Sequence, residues 1–334
     1  RAAGRRTCRG RGDDSSVKCV CYYLRTARRR FFAGAERGSH ELQIGCNGFC
    51  ERVRTAEHAP RGPFYILERL HGLAEIVERG AEVEVERPRV LSEKPLSPSV
   101  AVATKTIDAA KEANALGRWG VAENYRFEPA VERLASADIG TVRAVRLSVG
   151  APITGENPYA KTAWRQQPEH VGAYFGDAGP HYVAALRAAV GAAPRGVRAL
   201  ATQGSQVVPA PDAVAAVMTF PGDVLGTLHC SFHPKAPKRF ELVVDGDKGT
   251  ASMTRTEAVG TGVFGYSVDV NGEHSFCPFS GVPRELAAFI TAVRKGGPVP
   301  RALSATEALV DLKVVEAICD AAAAKSAAGT RVAA

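Results

Sequence analysis

Three side chains in this sequence are of the types that move protons and hold developing charge, and each stands where a backbone element is expected to begin or end. Lys94 follows the short apolar run Val90-Leu91-Ser92 and sits between Glu93 and Pro95. A proline removes a ladder donor and turns the chain out of a sheet, so the spacing predicts Lys94 at the C-terminal edge of a strand, where open α/β sheets bind ligands. Asp177 and His181 are four residues apart in Gly176-Asp-Ala-Gly-Pro-His181. With Asp177 as a helix cap and Pro180 in the first turn, the two share one face. An imidazole with an ordinary pKa of about 6.5 exchanges a proton near neutrality, a carboxylate can orient it, and an ammonium can hold an oxygen as charge develops. Each residue has a plainer reading: Lys94 solvated, Asp177 only a cap, His181 a packed interior ring.

Two more polar groups stand at comparable places. Val121-Ala-Glu-Asn-Tyr-Arg-Phe-Glu-Pro129 reads as a second strand leaving a buried segment for a cluster with Asn124 and Arg126, and Trp164-Arg165 follows Asn157-Pro-Tyr159. The plain alternative for all four is structural, with the aromatic in a core and the guanidinium in an ion pair.

The elements that must position these groups are legible from about Ser97 onward. Ser97-Pro98 supplies a cap and a first-turn proline, and Val100, Ile107, Ala110 and Leu116 recur at helical spacing until Gly117. A strand at Trp119-Gly-Val-Ala122 follows. Apolar runs of strand length then recur between turn residues: Val142 to Val149, Val197 to Ala201, Ala213 to Phe220, Val224 to Phe232 and Phe240 to Val244. The last enters Asp245-Gly246, a hairpin signal. Ser304-Ala-Thr-Glu307 is a capping box opening a helix in which Ala308, Leu312, Val315 and Cys319 form one apolar row. A large, mainly antiparallel sheet with flanking helices is the architecture that results.

The first 90 residues read differently. Eighteen of the 43 basic residues and 12 of the 35 acidic ones lie there, so +6 of the net +8 belongs to this stretch and only +2 to the rest. Arg28-Arg-Arg30 and the Gly-Arg alternation from Cys8 to Gly12 break every candidate period, and only Phe64 to Val77 suggests a helix. No strand leads into the Gly-x-Gly-x-x-Gly turn that cradles a pyrophosphate. The stretch has the length of a nucleotide-binding half without its pattern, which means either a far-diverged domain or a misread stretch of the gene. Cys19, Cys21, Cys46 and Cys50 with His40 and His58 lack standard zinc-ligand spacing, so no metal is expected. The arginine clusters carry no reading motif and no interleaved aromatics, so a solvated or disordered basic segment is expected rather than specific nucleic-acid readout. Composition of 45% hydrophobic and 23% charged residues, with no long apolar run and no signal-peptide core, gives the expectation of a cytoplasmic protein without membrane contact.

Taken in order and at these separations, Glu93-Lys94-Pro95, the Asn124-Tyr-Arg-Phe127 strand, Trp164-Arg165 and Asp177-x-x-x-His181 resemble the glucose-fructose oxidoreductase, inositol dehydrogenase and rhizopine-catabolism (Gfo/Idh/MocA) family, in an uncharacterised eukaryotic branch. The likeness covers about Leu91 to Ile318. It implies a Rossmann domain followed by an α/β domain with an open sheet often used for oligomerisation. It also implies that Lys94, Asp177 and His181 form the reacting centre, and that Glu93, Lys94, Pro95, Asn124, Arg126, Trp164 and Arg165 border a cofactor, NAD or NADP. The chemistry is coherent without the family: taking a hydride from a carbinol carbon requires the hydroxyl proton to leave as well. Asp177 would then orient His181, and Lys94 would hold the substrate oxygen. The nicotinamide does the hydride step, and the protein supplies geometry.

The expected fold class is therefore α/β. A Rossmann-like nucleotide-binding domain spans 1–122, degenerate or corrupted in 1–90 and poorly ordered in 1–61. A C-terminal α/β domain with a large, mainly antiparallel open sheet spans 123–300, and a closing helix in 301–326 packs back on the cofactor half. The expected function is hydride transfer between NAD or NADP and a small-molecule sugar, polyol or related hydroxy compound, with room for a homo-oligomer through the open sheet. The alternative is a non-catalytic binding protein on the same domain, with a basic N-terminal arm and cofactor binding lost.

Overall fold

The computed structural model describes residues 22–24, 89–158, 160–209 and 211–324. Readings on the rest of the N-terminal segment fall outside these residues, namely poor order over 1–61, a helix over 64–77, and metal ligation by the early cysteines and histidines. Tyr22–Leu24, to which the sequence reading assigned no element, is strand β1. It runs antiparallel to β2 (Arg89–Ser92), which in turn pairs in parallel with β3 (Trp119–Val121), Val90 facing Trp119. Parallel neighbours need a crossover, and helix α1 (Val100–Glu112) supplies it. Its cap is Ser99, not Ser97: Ser99 is extended, and its Oγ accepts the Val102 N–H at 3.3 Å. Leu116 falls beyond the helix, in a 3₁₀ turn over Leu116–Arg118.

The predicted second strand over Val121 to Pro129 stops at Val121. Asn124–Phe127 is a 3₁₀ turn in which the Glu123 carboxylate accepts the Tyr125 N–H at 3.2 Å, a local bond that takes the place of a ladder bond. Pro129 then opens α2 (Pro129–Ala135) from its first turn.

Eight strands make the second sheet: β4 (Val142–Gly150), β5 (Gly196–Thr202), β6 (Ala213–Thr219), β7 (Leu225–Ser231), β8 (Arg239–Gly246), β9 (Thr250–Glu257), β10 (Phe264–Val270) and β11 (Glu273–Pro278). Their order is β11-β10-β9-β8-β4-β7-β6-β5, and every pair is antiparallel except β4 with β7. The hairpin after Phe240–Val244 forms, but Asp245 and Gly246 still belong to the strand and the turn lies over 247–249. Alternation decides the faces. Leu147, Met218, Leu228 and Leu242 point into the core, where α2 and α3 (Ala173–Val190) cover them, while Leu200, Val217 and Leu225 stand exposed on the opposite face. The α/β class with a large, mainly antiparallel open sheet is thus what the chain forms.

Helix α3 begins earlier than the sequence suggests. Its cap is Gly172, at φ +79°, where a Cβ would also lie 2.6 Å from Cys319 Sγ, so glycine is required on both counts. Asp177 is therefore in the second turn and is not a cap, and Pro180 lies inside the helix. Two further helices follow: α4 (Gly281–Lys295) and α5 (Ala305–Ala323). Half of the capping box of α5 forms: Ser304 Oγ accepts the Glu307 N–H at 3.2 Å, but the Ser304 N–H donates to the Arg301 carbonyl oxygen and the Glu307 carboxylate binds Arg187 and Arg301 instead. The expected single row divides between two cores. Ala308 and Leu312 pack with Ile107, Trp119 and Val121, whereas Val315 and Ile318 join the core of the large sheet.

Candidate active site

A cavity of about 170 Å³ opens at the C-terminal ends of the parallel strands β2 and β3. Ser92, Glu93 and Lys94 enter it from the end of β2, Ala122 and Asn124 from the exit of β3, His181 from α3, and Val282, Glu285 and Leu286 from α4. Residues separated by almost 200 positions meet here because α4 is held over the strand ends. The Glu128 carboxylate accepts the Ser280 and Gly281 N–H groups at 3.2 and 3.0 Å, which places an anion on the positive end of α4. Gly281 allows the approach, since a Cβ would lie 2.3 Å from the Asn124 carbonyl oxygen.

Lys94 and Asp177 form the first pair. Lys94 Nζ donates to Asp177 Oδ1 at 2.8 Å and to the Asp177 backbone oxygen at 2.9 Å, and Arg165 Nε donates to Oδ2 at 2.9 Å. The Asp177 side chain is 8% exposed. Burial pushes its carboxyl up, but the charges and hydrogen bonds of Lys94 and Arg165 outweigh this and hold it below the usual aspartate range. Lys94 thus presents an ammonium to the cavity with its position fixed from behind.

His181 and Glu123 form the second pair, and here the structure corrects the sequence reading. Asp177 does not orient the imidazole: its carboxylate faces Lys94 and Arg165. Glu123 does: His181 Nδ1 lies 2.7 and 3.0 Å from its two oxygens. Glu123 is buried, which raises its carboxyl pKa, yet the charge and hydrogen bond of His181, with Arg126 and Lys94 nearby, bring it below the ordinary value. An ionised carboxylate only accepts, so Nδ1 carries the hydrogen and Nε2 is the ring nitrogen left for the cavity. Tyr125 packs on the ring with centroids 5.3 Å apart. The sequence signal for Glu123 is an acid directly after the apolar Trp119 to Ala122 run, one residue before the polar cluster.

The remaining sequence-derived residues fall in different places. Glu93 and Asn124 line the cavity, and the Lys94–Pro95 peptide is cis. Trp164 lies in a single helical turn, Ala163–Gln166, next to Arg165. Arg126 is turned away from the cavity. It donates to Asp311, to the Ala302 carbonyl and to the Glu307 carbonyl, in a buried ion network completed by Arg187, which binds Asp311 and Glu307. This network joins the β3 exit, α3 and α5. Among the described residues no cluster of three or more His, Cys, Asp or Glu could hold a metal ion, and no helix is long and apolar enough to cross a membrane.

The fold is that of an α/β protein with its cavity at the strand ends, and comparison with known proteins gives the family. Residues 127–252 match the GFO/IDH/MocA C-terminal domain. The chain is 30% identical over 240 residues to the dehydrogenase FPY6 of Fusarium mangiferae, covering 70% of this chain and 68% of that protein. It is 30% identical over 234 residues to an uncharacterised protein of Saccharomyces cerevisiae, of which 65% is covered. An oxidoreductase from Thermotoga maritima superposes with a TM-score of 0.60 at 26% identity over 70% of this chain and 68% of that one. The WlbA dehydrogenase of Bordetella pertussis, solved with NADH and UDP-GlcNAcA, shares the fold with a TM-score of 0.59 at 19% identity, over 79% of this chain and 74% of that one. The chain belongs to the Gfo/Idh/MocA family of oxidoreductases.

Proposed function

We propose that the chain transfers a hydride between NAD or NADP and a sugar, polyol or related hydroxy compound, with the reaction in the cavity between the β2 and β3 ends and α4. The observation that carries this reading is the convergence of Lys94 and His181 on one cavity, each fixed from behind by its own buried carboxylate. A cavity at the C-terminal ends of parallel strands is where an α/β sheet receives a nucleotide-linked ring. Its donor set fits the nicotinamide end of such a cofactor. Glu93, Lys94, Pro95 and Asn124 would border it, with Arg165 holding Asp177 in place. When bound, nicotinamide supplies the hydride acceptor.

The protein's own part is the proton. His181 Nε2 takes the hydroxyl proton as the carbinol carbon loses its hydride. Glu123 stabilises the imidazolium that results, as a buried carboxylate does for a charge that forms only during reaction. Lys94 donates to the substrate oxygen as negative charge develops there. Asp177 keeps the ammonium aimed and does not reach the imidazole. The relatives named above, a dehydrogenase and a dehydrogenase bound to NADH and a nucleotide sugar, support this chemistry. A division into a cofactor half over 1–122, a sheet half over 123–300 and a closing helix within 301–326 accords with the small core of Ile107, Trp119 and Val121 and the separate core of the large sheet. Self-association through the open sheet would use the face on which Leu200, Val217 and Leu225 stand exposed.

The test is direct. NADH or NADPH fluorescence on mixing with the full chain reports cofactor binding, and a panel of sugars and polyols with NAD and NADP reports turnover. Binding together with turnover of at least one neutral hydroxy compound is the expected result. A chain that binds neither nucleotide is the non-catalytic alternative.

A further inference from the structure

Two buried arginines converge on one carboxylate, and the chemistry above uses none of the three. Asp311, on α5, is 2% exposed. Its Oδ2 accepts from Arg126 Nη2 and its Oδ1 from Arg187 Nη1. The same two nitrogens donate to the Glu307 carbonyl oxygen, one turn back on α5, at 3.3 and 3.2 Å. Arg126 Nη1 adds the Ala302 carbonyl at 3.1 Å, and Arg187 Nη2 adds the Glu307 carboxylate at 2.6 Å. Burial pushes the Asp311 carboxyl up to about 6, against the pull of the two arginines, so at pH 8 it is ionised and both of its oxygens accept.

Each arginine belongs to an element that carries one half of the His181–Glu123 pair. Arg126 closes the 3₁₀ turn that starts at Glu123, where its backbone N–H donates to the Glu123 carbonyl oxygen at 3.2 Å. Arg187 stands six residues after His181 in the same helix, α3. Asp311 therefore ties the turn that carries Glu123 to the helix that carries His181, the two partners of a 2.7 Å contact. Stability alone does not account for such a cluster, because apolar side chains of similar volume often serve a buried site as well or better. What the charges add is a single arrangement, since each guanidinium fork donates in fixed directions.

We propose that Asp311 is a positioning residue: by bridging Arg126 and Arg187 it fixes Glu123 against His181, and so the aim of the His181 ring into the cavity. This rests on the reading of His181 as the proton acceptor of the reaction, so the first measurement is independent of turnover. The Nδ1–H that His181 donates to Glu123 should give a slowly exchanging, far-downfield proton NMR signal in the full chain at pH 8, assigned by its loss in His181→Ala. In Asp311→Asn that hydrogen should exchange with water about 10-fold faster or more, as for a pair that opens more often. The kcat for a sugar or polyol should fall about 10-fold or more, with the nucleotide dissociation constant within about 3-fold, because a misplacement of about 1 Å can cost 10²-fold. In a Glu123→Gln background, where the pair is already broken, Asp311→Asn should lower kcat by less than about 2-fold, whereas a role in stability alone would act equally in both backgrounds. The triple variant Arg126→Met, Asp311→Leu, Arg187→Met leaves Glu307 with Arg301 and guards against a folding defect in Asp311→Asn. It should stay near the wild type in Tm and match Asp311→Asn in proton exchange. A signal absent from the wild type or unchanged in both variants, or a kcat loss of equal size in the Glu123→Gln background, overturns the proposal. A wild type without turnover, whose signal is present and quickened in both variants, would refute the hydride reading and leave the positioning standing.

Discussion

His181 Nδ1 lies 2.7 Å from Glu123 Oε1, and the carboxylate that orients the imidazole comes from the exit of β3, 58 residues before it in the chain. Glu123→Gln keeps the volume but replaces an acceptor pair by an amide and removes the negative charge behind the ring. It should lower kcat by about 10-fold or more, a share of the roughly 10²–10⁴ that positioned acid–base groups contribute. Nucleotide affinity should hardly change. Glu123→Asp should recover part of the loss. An unchanged kcat and pH profile in Glu123→Gln would show that the imidazole needs no partner.

Asp177 is the next point of control. Replacing it with alanine removes the carboxylate that Lys94 and Arg165 share, and breaking a buried pair in this way costs about 3–5 kcal/mol. Urea midpoints would read this. The pH dependence has a fixed sign. The folded pKa lies below the unfolded one, so the stabilisation is complete above about 4 and is lost as acid carries the pH down through the folded value. Asp177→Asn should flatten that acid limb. An equally steep limb would place the acid sensitivity elsewhere.

Glu285 acts in the opposite sense. Its folded pKa of about 8 is above the unfolded value. The unfolded chain therefore holds fewer protons in the interval from about 4.3 to 8, and the group makes stability fall as pH rises through it. Glu285→Gln should raise Tm at pH 8 more than at pH 5. Equal shifts at the two pH values would mean that the carboxyl titrates normally.

Five of the eight strands of the large sheet were legible in the sequence because they alternate between turn residues, whereas β9, β10 and β11 were not read, their runs holding Thr250, Arg255, Asp269 and Glu273 among few apolar residues. Leu242 and Val244 face inward beside Phe240, and the runs containing Val145 and Leu228 end at turn residues, so periodicity alone put them in one sheet. The helix boundaries were less so. Asp177 and Pro180 together imitate the start of a helix, whereas the actual start depends on the left-handed backbone of Gly172 against Cys319, a contact that no local pattern contains. For the site, Lys94 and His181 stood out by type and position. Glu123 and Glu285 did not, since their importance comes from burial against groups far away in the chain. Arg126 had the type of a ligand-binding residue, but its partner Asp311 lies 185 residues on.

The two faces of the sheet should differ in stability by a clear margin. Leu242 is fully buried, and Leu242→Ala should cost about 2–5 kcal/mol through lost transfer energy and the cavity left behind. Val217 is 53% exposed on the outer face, and Val217→Ala should stay within about 0.5 kcal/mol in the monomer. Chemical denaturation of both variants checks this, and equal losses would mean that the outer face is covered in solution.

The central claim is that His181 carries the proton during hydride transfer in the cavity shared with Lys94. It is tested most directly by measuring, for one oxidised sugar or polyol, the kcat of His181→Ala beside its nucleotide dissociation constant. The account predicts that kcat falls about 10²-fold or more while the dissociation constant stays within about 3-fold, because the imidazole is used mainly in the transition state. Turnover equal to that of the wild type, with the nucleotide bound as before, would contradict it.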